Sequence, residues 1–442
     1  MPELRPRLIF YLDCPVFGGA DLFASYLLRH EDIRAGFEPF VVYRRNAHVD
    51  AGVAQHIDAS VARVGLSLWD REEKLEALER LRLPSALRLA AKALLRLIEP
   101  LFFAIDVAAL WRVFARERPA LVHVNNGGYP GALGCRAAVV AARLSGAQRV
   151  VLVVHNQARP TSAATAWLDW PIDALVGRCA DVMVTASSVS QDALARRGFD
   201  RAKLRVICDG VPTPTVTRPR AETRAVLGLA DADVAFAVVA FFEPRKGQAV
   251  LVDAAALLSR RAALGPARFI LVGDGPELEP VKARARAAGL LDRFQFLGYR
   301  RDAPDIVEAC DVLVLPSIGS EDMPLSILDA MALAKPVVAS HLAAIPEEVA
   351  DGETGLLAPP GDAASLAAAI ETLLKDRALR LRLGEAGRRR FLDRFEVSIS
   401  ARRYARFYGD QLGLNPSGET VTMKNAAGSG PARSIPPAHP KG

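Results

Sequence analysis

Short apolar runs alternate with amphipathic helical stretches along almost the whole chain. That pattern argues for parallel sheets whose crossovers are helices, an α/β architecture. Strands are expected at residues 7–12, 40–43, 121–124, 150–154 and 182–185, and a second set at 234–240, 268–272, 294–297, 312–315 and 336–339. Between the sets, residues 211–220 hold Pro212, Pro214 and Pro219, a density that suits an extended hinge. With 442 residues, the chain is too long for one ordinary core. Two Rossmann-like domains are the economical reading: 1–214, with a helical insertion at about 66–118, and 215–395. A tail at 413–442, rich in Pro, Gly, Ser and Lys, is expected to be disordered.

Composition sets the outer limits. Hydrophobic residues at 51% and charged residues at 24% suit a globular protein with a large core. A net charge of +6 suits an anionic partner without choosing among nucleotide, lipid headgroup and nucleic acid. Five scattered cysteines without a C-x-x-C pair suggest neither a disulfide framework nor a zinc site, so a reducing cytoplasm is expected. The first residues lack a signal-peptide layout. The longest apolar stretch, 101–111, is broken by Asp106 and preceded by Pro100, so any membrane contact is expected to be peripheral.

The second half carries the most specific chemistry. The strand at 234–240 runs into Phe241-Phe242-Glu243-Pro244-Arg245-Lys246-Gly247 and then a helix. A strand-to-helix turn with a glycine and two cations places N–H groups and positive charge where a diphosphate can sit. An exposed basic turn would look the same. Gly273, in Val272-Gly273-Asp274-Gly275, and Tyr299 and Arg300 fall at later strand ends, which should converge with that turn. In Glu321-Asp322-Met323-Pro324-Leu325-Ser326-Ile327-Leu328-Asp329, Pro324 suits the first turn of a helix. Glu321 then lies before a helix N-terminus, where free N–H groups attract phosphate, and Asp329 along the helix could accept hydrogen bonds from a ribose diol.

Here the sequence resembles the GT-B glycosyltransferases of the retaining family 4. Their hallmark is two acids separated by seven residues, in a setting like E-G-F-P-L-x-x-L-E-A-M-A-x-G-x-P-V-V. This chain reads E-D-M-P-L-S-I-L-D-A-M-A-L-A-K-P-V-V, then I-P-E-E-V-A-D-G-E-T-G-L-L. The resemblance covers the C-terminal domain well and the N-terminal domain loosely. It implies two Rossmann-like domains facing a central cleft and transfer from a nucleotide-diphosphate sugar with retention at the anomeric carbon. No cofactor or metal is implied. Glu321 would face the donor sugar and Asp329 the ribose, while Lys246 and Arg245 would neutralise the diphosphate. Leu325 and Ser326, after Pro324, would offer N–H groups to phosphate, and backbone near Tyr299 and Arg300 would hold the base. The chain departs from the family at Phe241, where most members have arginine, at Asp329 for glutamate, and at Ala240, Ala334, Ala343 and Ala344 for glycines.

The first half is less explicit. Gly18 and Gly19 look like the family's G-G-A-E segment, with Asp21 for the glutamate, although a simple turn accounts for them equally. His155 matches a family histidine beside the reacting sugar. His123 is a weaker candidate, and Asn125 and Asn126 could belong to an acceptor loop. A final helix at 396–412 would cross back to the first domain, with Tyr404 and Tyr408 packing. Arg88, Lys92 and Arg96 fall on one helical face that could touch an anionic membrane or be an ordinary solvated face.

The expected partners are a nucleotide-sugar donor and a glycan or lipid-linked acceptor, in cell-surface polysaccharide synthesis, and not nucleic acid. The location expected is the cytoplasm, with possible attachment to the inner face of the membrane. An NAD-dependent oxidoreductase would share the sheets, but no G-x-G-x-x-G follows the first strand. A catalytically idle homologue that scaffolds a polysaccharide assembly is the alternative left open by Phe241 and Asp329.

Overall fold

The structure, a computed structural model, describes residues 5–15, 17–81, 84–159 and 166–414. Most of the expected C-terminal tail therefore lies outside the described residues. The first all-parallel sheet comprises β1 (Arg7–Leu12), β2 (Glu38–Arg44), β3 (Ala62–Leu66), β4 (Leu121–Asn126), β5 (Arg149–Val154), β6 (Val182–Thr185) and β7 (Leu204–Val206), in the order β3-β2-β1-β4-β5-β6-β7. The second comprises β8 (Val234–Val239), β9 (Ala267–Val272), β10 (Phe294–Phe296), β11 (Val312–Leu315), β12 (Val337–Ser340) and β13 (Gly355–Ala358), in the order β10-β9-β8-β11-β12-β13. The central strands are apolar throughout because helices cover both faces; Leu8 to Leu12 of β1 are all fully buried.

Both sheets reverse direction once. In the first sheet the chain winds outward from β1 to β3, then returns to place β4 against β1, with Leu8 beside Leu121 and Leu12 beside Asn125. In the second sheet β11 returns against β8. These two reversals are where an open α/β sheet leaves a crevice at its carboxyl edge. Three strands, β3, β7 and β13, were not expected. Each lies at a sheet edge, and β3 is largely exposed, so its apolar signal is weak.

Seven helices position the site: α1 (Gly19–Arg29), α2 (Ser85–Glu117), α3 (Leu133–Leu144), α4 (Ser188–Arg196), α5 (Gln248–Arg260), α6 (Leu325–Ala332) and α7 (Val397–Leu412). α2 passes through Pro100 without ending and packs on α3 along Glu99, Phe103, Asp106, Leu110 and Phe114. Arg88, Lys92 and Arg96 follow the same helical spacing toward the N-terminus, where Arg88 is exposed and Lys92 and Arg96 are half-buried. Lys92 pairs with Glu79 at 2.9 Å, and Arg96 pairs with Glu99 at 2.5 Å and Asp169 at 2.6 Å. The opposite stripe is apolar and open, with Leu87, Leu94, Leu97, Leu101 and Ile105 each at least half exposed. Among the described residues, no helix is long and apolar enough to cross a membrane.

The linker after β7 runs as extended chain, with Val211 bridged to Glu396 and Thr217 held by Asp305. From Glu396 the chain enters α7, which packs on α1 and buries Tyr404 and Tyr408 completely. The Tyr408 hydroxyl meets His123 Nδ1 at 2.6 Å, and the His123 ring stacks on Phe10. His123 is thus a packed core residue; burial pushes it down to about 3, so the ring is neutral. Two alanines where the family has glycine, Ala334 and Ala343, keep left-handed backbone at φ +54°. An L-residue there crowds its own Cβ against the carbonyl. We therefore expect Ala334→Gly and Ala343→Gly each to stabilise the fold by about 1 kcal/mol. Thermal midpoints that stay level or fall would refute it.

Candidate functional site

Local backbone fixes the donor-side loops before any side chain acts. Gly247 adopts φ +66° ahead of α5, and a Cβ there would lie 2.0 Å from the Pro316 carbonyl oxygen. Gly273, at φ +139°, is as tightly confined: a Cβ there would lie 1.9 Å from the Ala240 carbonyl oxygen. The amides of Ile318 and Gly319 donate to the Arg245 carbonyl at 2.8 and 3.2 Å, tying the β11 loop to the β8 turn. Lys246 Nζ and Glu321 Oε1 are thereby brought to 2.6 Å, with Ser317 Oγ donating to the same oxygen at 2.7 Å. Arg245 lies 3.4 Å from Glu321, pairs with Glu243 at 2.7 Å and donates to the Ser320 carbonyl. Phe241 is exposed beside them, with no cation in its place.

The N-terminus of α6 faces this group. Pro324 is the residue before the helix rather than within its first turn, a small correction, and the free N–H groups belong to Leu325 and Ser326. Leu325 packs across the cleft 3.5 Å from where a Gly19 Cβ would be, so the Gly18–Gly19 turn opening α1 meets α6 end to end. Asp329, on α6, is half-buried and lies near Tyr26 of α1. Burial alone pushes its carboxyl up to about 7. Tyr299 is exposed after β10, and Arg300 beside it is engaged by Asp302 at 2.6–2.7 Å. These two stand at the outer rim, joined to the site by the Gly273 amide donating to the Gly298 carbonyl.

On the first-domain side, His155 belongs to a buried relay. Its Nδ1 meets Asp209 Oδ2 at 2.9 Å and its Nε2 meets Asn125 Oδ1 at 2.7 Å. Asn125 Nδ2 donates onward to Asp21 at 3.0 Å, which fixes the amide with its oxygen toward the ring. The ring therefore donates from both nitrogens. Burial disfavours the charged ring, but the Asp209 carboxylate outweighs it and holds His155 above its ordinary value. Asn125 is wholly buried in this relay and is a positioning residue, not part of an open acceptor loop. Asn126 does line the cavity described below, and its Nδ2 has no partner among the described residues.

The two halves meet through polar contacts that sequence reasoning did not identify. Glu347, in the short helix Ile345–Glu348, caps α4, accepting from Ser188 Oγ at 2.7 Å and from the Ser188 and Val189 amides at 3.1 and 3.3 Å. Ser320 Oγ meets Asn156 Oδ1 at 2.9 Å. Asp322 and Glu348 are buried at the same seam as Asp209; burial raises Asp322 to about 7 and Glu348 well above the carboxylate range. The Asp-Gly pair after β7 was the one available clue to Asp209.

Beside the relay opens a cavity of about 610 Å³, framed by α2, the turns after β1 and β4, and Arg245 and Ser320 of the second domain. It joins the donor-side loops to the first sheet. Among the described residues, no cluster of His, Cys, Asp and Glu is arranged to hold a metal ion.

Comparison with known proteins gives two family matches that together span most of the chain. Residues 219–390 match the model for glycosyl transferases group 1, and residues 27–214 match glycosyltransferase family 4. A phosphatidyl-myo-inositol mannosyltransferase of Mycobacterium leprae is 38% identical over 168 residues, 38% of this chain and 43% of that protein. An Escherichia coli UDP-Gal:alpha-D-GlcNAc-diphosphoundecaprenol alpha-1,3-galactosyltransferase is 26% identical over 54% of this chain and 62% of its own length. The chain thus matches less than two-thirds of the length of these relatives. Both are named transferases, which lends no support to an idle scaffold. Among solved structures, Anabaena Alr3699/HepE in complex with UDP shares the fold, with a TM-score of 0.72 at 22% identity over 91% of this chain and all of that one.

Asp329 supplies a test of this electrostatic description. Its folded carboxyl is raised from 3.8 to about 7, so the folded state binds the extra proton and loses stability as pH rises between those values. Asp329→Asn removes that loss. The variant should gain on the wild type between pH 4 and 8 by on the order of 1 kcal/mol, because partial exposure preserves much hydration. Parallel stability curves across that range would contradict it.

Proposed function

Because this chain belongs to the GT-B glycosyltransferases of family 4, we propose that it transfers a sugar from a nucleotide-diphosphate sugar to a glycan or lipid-linked acceptor, with the anomeric configuration retained. The observation that carries this reading is the contact of Lys246 with Glu321 at 2.6 Å, beside the N-terminus of α6 and the reversal between β8 and β11. Without donor, the two charges satisfy each other. An arriving diphosphate takes over Lys246 and the Leu325 and Ser326 amides, which frees Glu321 to accept hydrogen bonds from the sugar.

As the glycosidic bond to the diphosphate breaks, negative charge grows on the leaving group. Preorganised cations and N–H dipoles that meet this charge lower the barrier. Lys246 and the α6 terminus supply them, and Arg245 is the second cation of the same turn. Asp329 receives the ribose hydroxyls, and the backbone near Tyr299 and Arg300 receives the base. His155, kept cationic by Asp209 and oriented by Asn125, sets a fixed positive charge under the reacting sugar. The Gly18–Gly19 turn closes the cleft opposite Leu325, and the cavity beside it takes the acceptor. UDP-glucose in a solved structure of HepE, which has the same fold, supports the donor class. The mannosyltransferase and galactosyltransferase relatives support a glycolipid or cell-surface role. The scattered free cysteines support a cytoplasmic location.

Peripheral membrane attachment is assigned to the outer stripe of α2 and not to its basic face. Leu87, Leu94, Leu97, Leu101 and Ile105 form an apolar ridge that water alone would leave unsatisfied.

Thermal shift with UDP-, GDP- and ADP-sugars should identify one stabilising donor. With that donor, Lys246→Ala and Glu321→Gln are each expected to lower kcat/KM by about 100-fold or more per folded molecule, and to lower the melting temperature because each leaves a largely buried charge unpaired. Variants that keep over half the activity would dismiss the reading. In liposome flotation, Leu94→Glu combined with Leu101→Glu should abolish binding that Arg88→Ala leaves in place; the opposite result would return the contact to the basic face.

A further inference from the structure

The cavity beside the donor loops carries hydrogen-bond donors that the transfer reaction does not use. Arg44 on its wall is matched by Asp13 and, at 2.8 Å, by Asp70. Arg96 is matched by Glu99 at 2.5 Å and Asp169 at 2.6 Å. Arg136, projecting from α3, shares those same two acids but reaches them only at 3.4 and 3.7 Å. It is 3% exposed, and its Nε and Nη1 have no hydrogen-bond partner among the described residues. Arg159 lines the same cavity and has no ion pair among the described residues. The buried Nδ2 of Asn126 is a third idle donor.

Buried donors left unsatisfied are costly, and charged ones more so, which makes their persistence in a cavity a sign of a missing partner. The missing partner must accept from several directions, and Arg159, a cation without an acid among the described residues, favours an anion. A carboxylate offers one plane of acceptors; a phosphate ester offers oxygens on a tetrahedron and pairs well with guanidinium forks. We propose that this cavity binds a phosphate group on the acceptor, held by Arg136 and Arg159 with Asn126 beside them. Arg245 and Ser320 at the mouth place the remainder of that molecule against the donor loops. The word acceptor rests on the transferase reading above; the phosphate site itself does not.

The test therefore measures binding by full-length protein without any donor, using octyl phosphate, inorganic phosphate and octyl glucoside in calorimetry. Octyl phosphate should bind at least about tenfold tighter than octyl glucoside. Arg159→Glu, at an exposed position, should weaken it about tenfold or more. Arg136→Gln should do the same, with its melting curve checked for folding. Lys246→Ala should leave it within twofold. Octyl phosphate outbinding inorganic phosphate assigns the site to a lipid headgroup, and equal binding assigns it to a free phosphorylated glycan; either supports the proposal. Glucoside binding as tight as octyl phosphate, or loss of phosphate binding in Lys246→Ala alone, overturns it. Arg159-dependent phosphate binding with no sugar transfer from any donor would uphold the site and reject the transferase reading.

Discussion

The ion pair of Lys246 with Glu321 is the contact around which the site is organised. It is short because two loops have been locked first: Gly247 lets the β8 turn lie against the Pro316 carbonyl, and the Arg245 carbonyl accepts two amides from the β11 loop. Backbone hydrogen bonds cost little further entropy once the turns are set, so they can hold flexible charged side chains in one geometry. The pair is also largely removed from water, with side-chain exposures of 13% and 5%. A charge pair in that environment is strong only while both partners are present. A ligand that replaces one partner with another anion therefore exchanges one satisfied state for another.

The seam between the domains follows a different logic. Glu347 and Ser320 make specific polar contacts across it, and Gly19 and Leu325 make an apolar one. Around these sit Asp209, Asp322 and Glu348, all buried, with His155 as their cationic neighbour. Buried carboxylates without full pairing oppose close apposition, while the helix cap and the apolar contact favour it. A seam balanced in this way suits two domains that must part and rejoin around a substrate.

The fold was legible wherever strands are central. β1, β6 and β11 lie at their expected limits because strands buried on both faces read as unbroken apolar runs. The edge strands β3, β7 and β13 were not legible, since half of an edge strand faces water. In the site, Lys246 could be read from the turn after β8, and Glu321 with the α6 terminus from one contiguous motif. The relay of Asp21, Asn125, His155 and Asp209 could not, because its members come from four separate stretches. The surroundings of the basic face of α2 were not legible for a related reason. Helical periodicity identifies which residues share a face, but not whether that face turns outward or toward a neighbouring helix's acids.

By itself, the sequence determined the alternating α/β pattern, the two-part organisation and the phosphate-friendly turns before α5 and α6. These depend on near neighbours in the chain, through strand burial, glycine geometry and helix termini. Tertiary structure alone decided that Lys246 contacts Glu321, that His155 is fully engaged by Asn125 and Asp209, and that Lys92 and Arg96 of α2 are paired with acids while its leucines lie open. Those outcomes depend on which distant segments meet at the two sheet reversals, and partner choice and burial, not residue type, set the charge and freedom of each group.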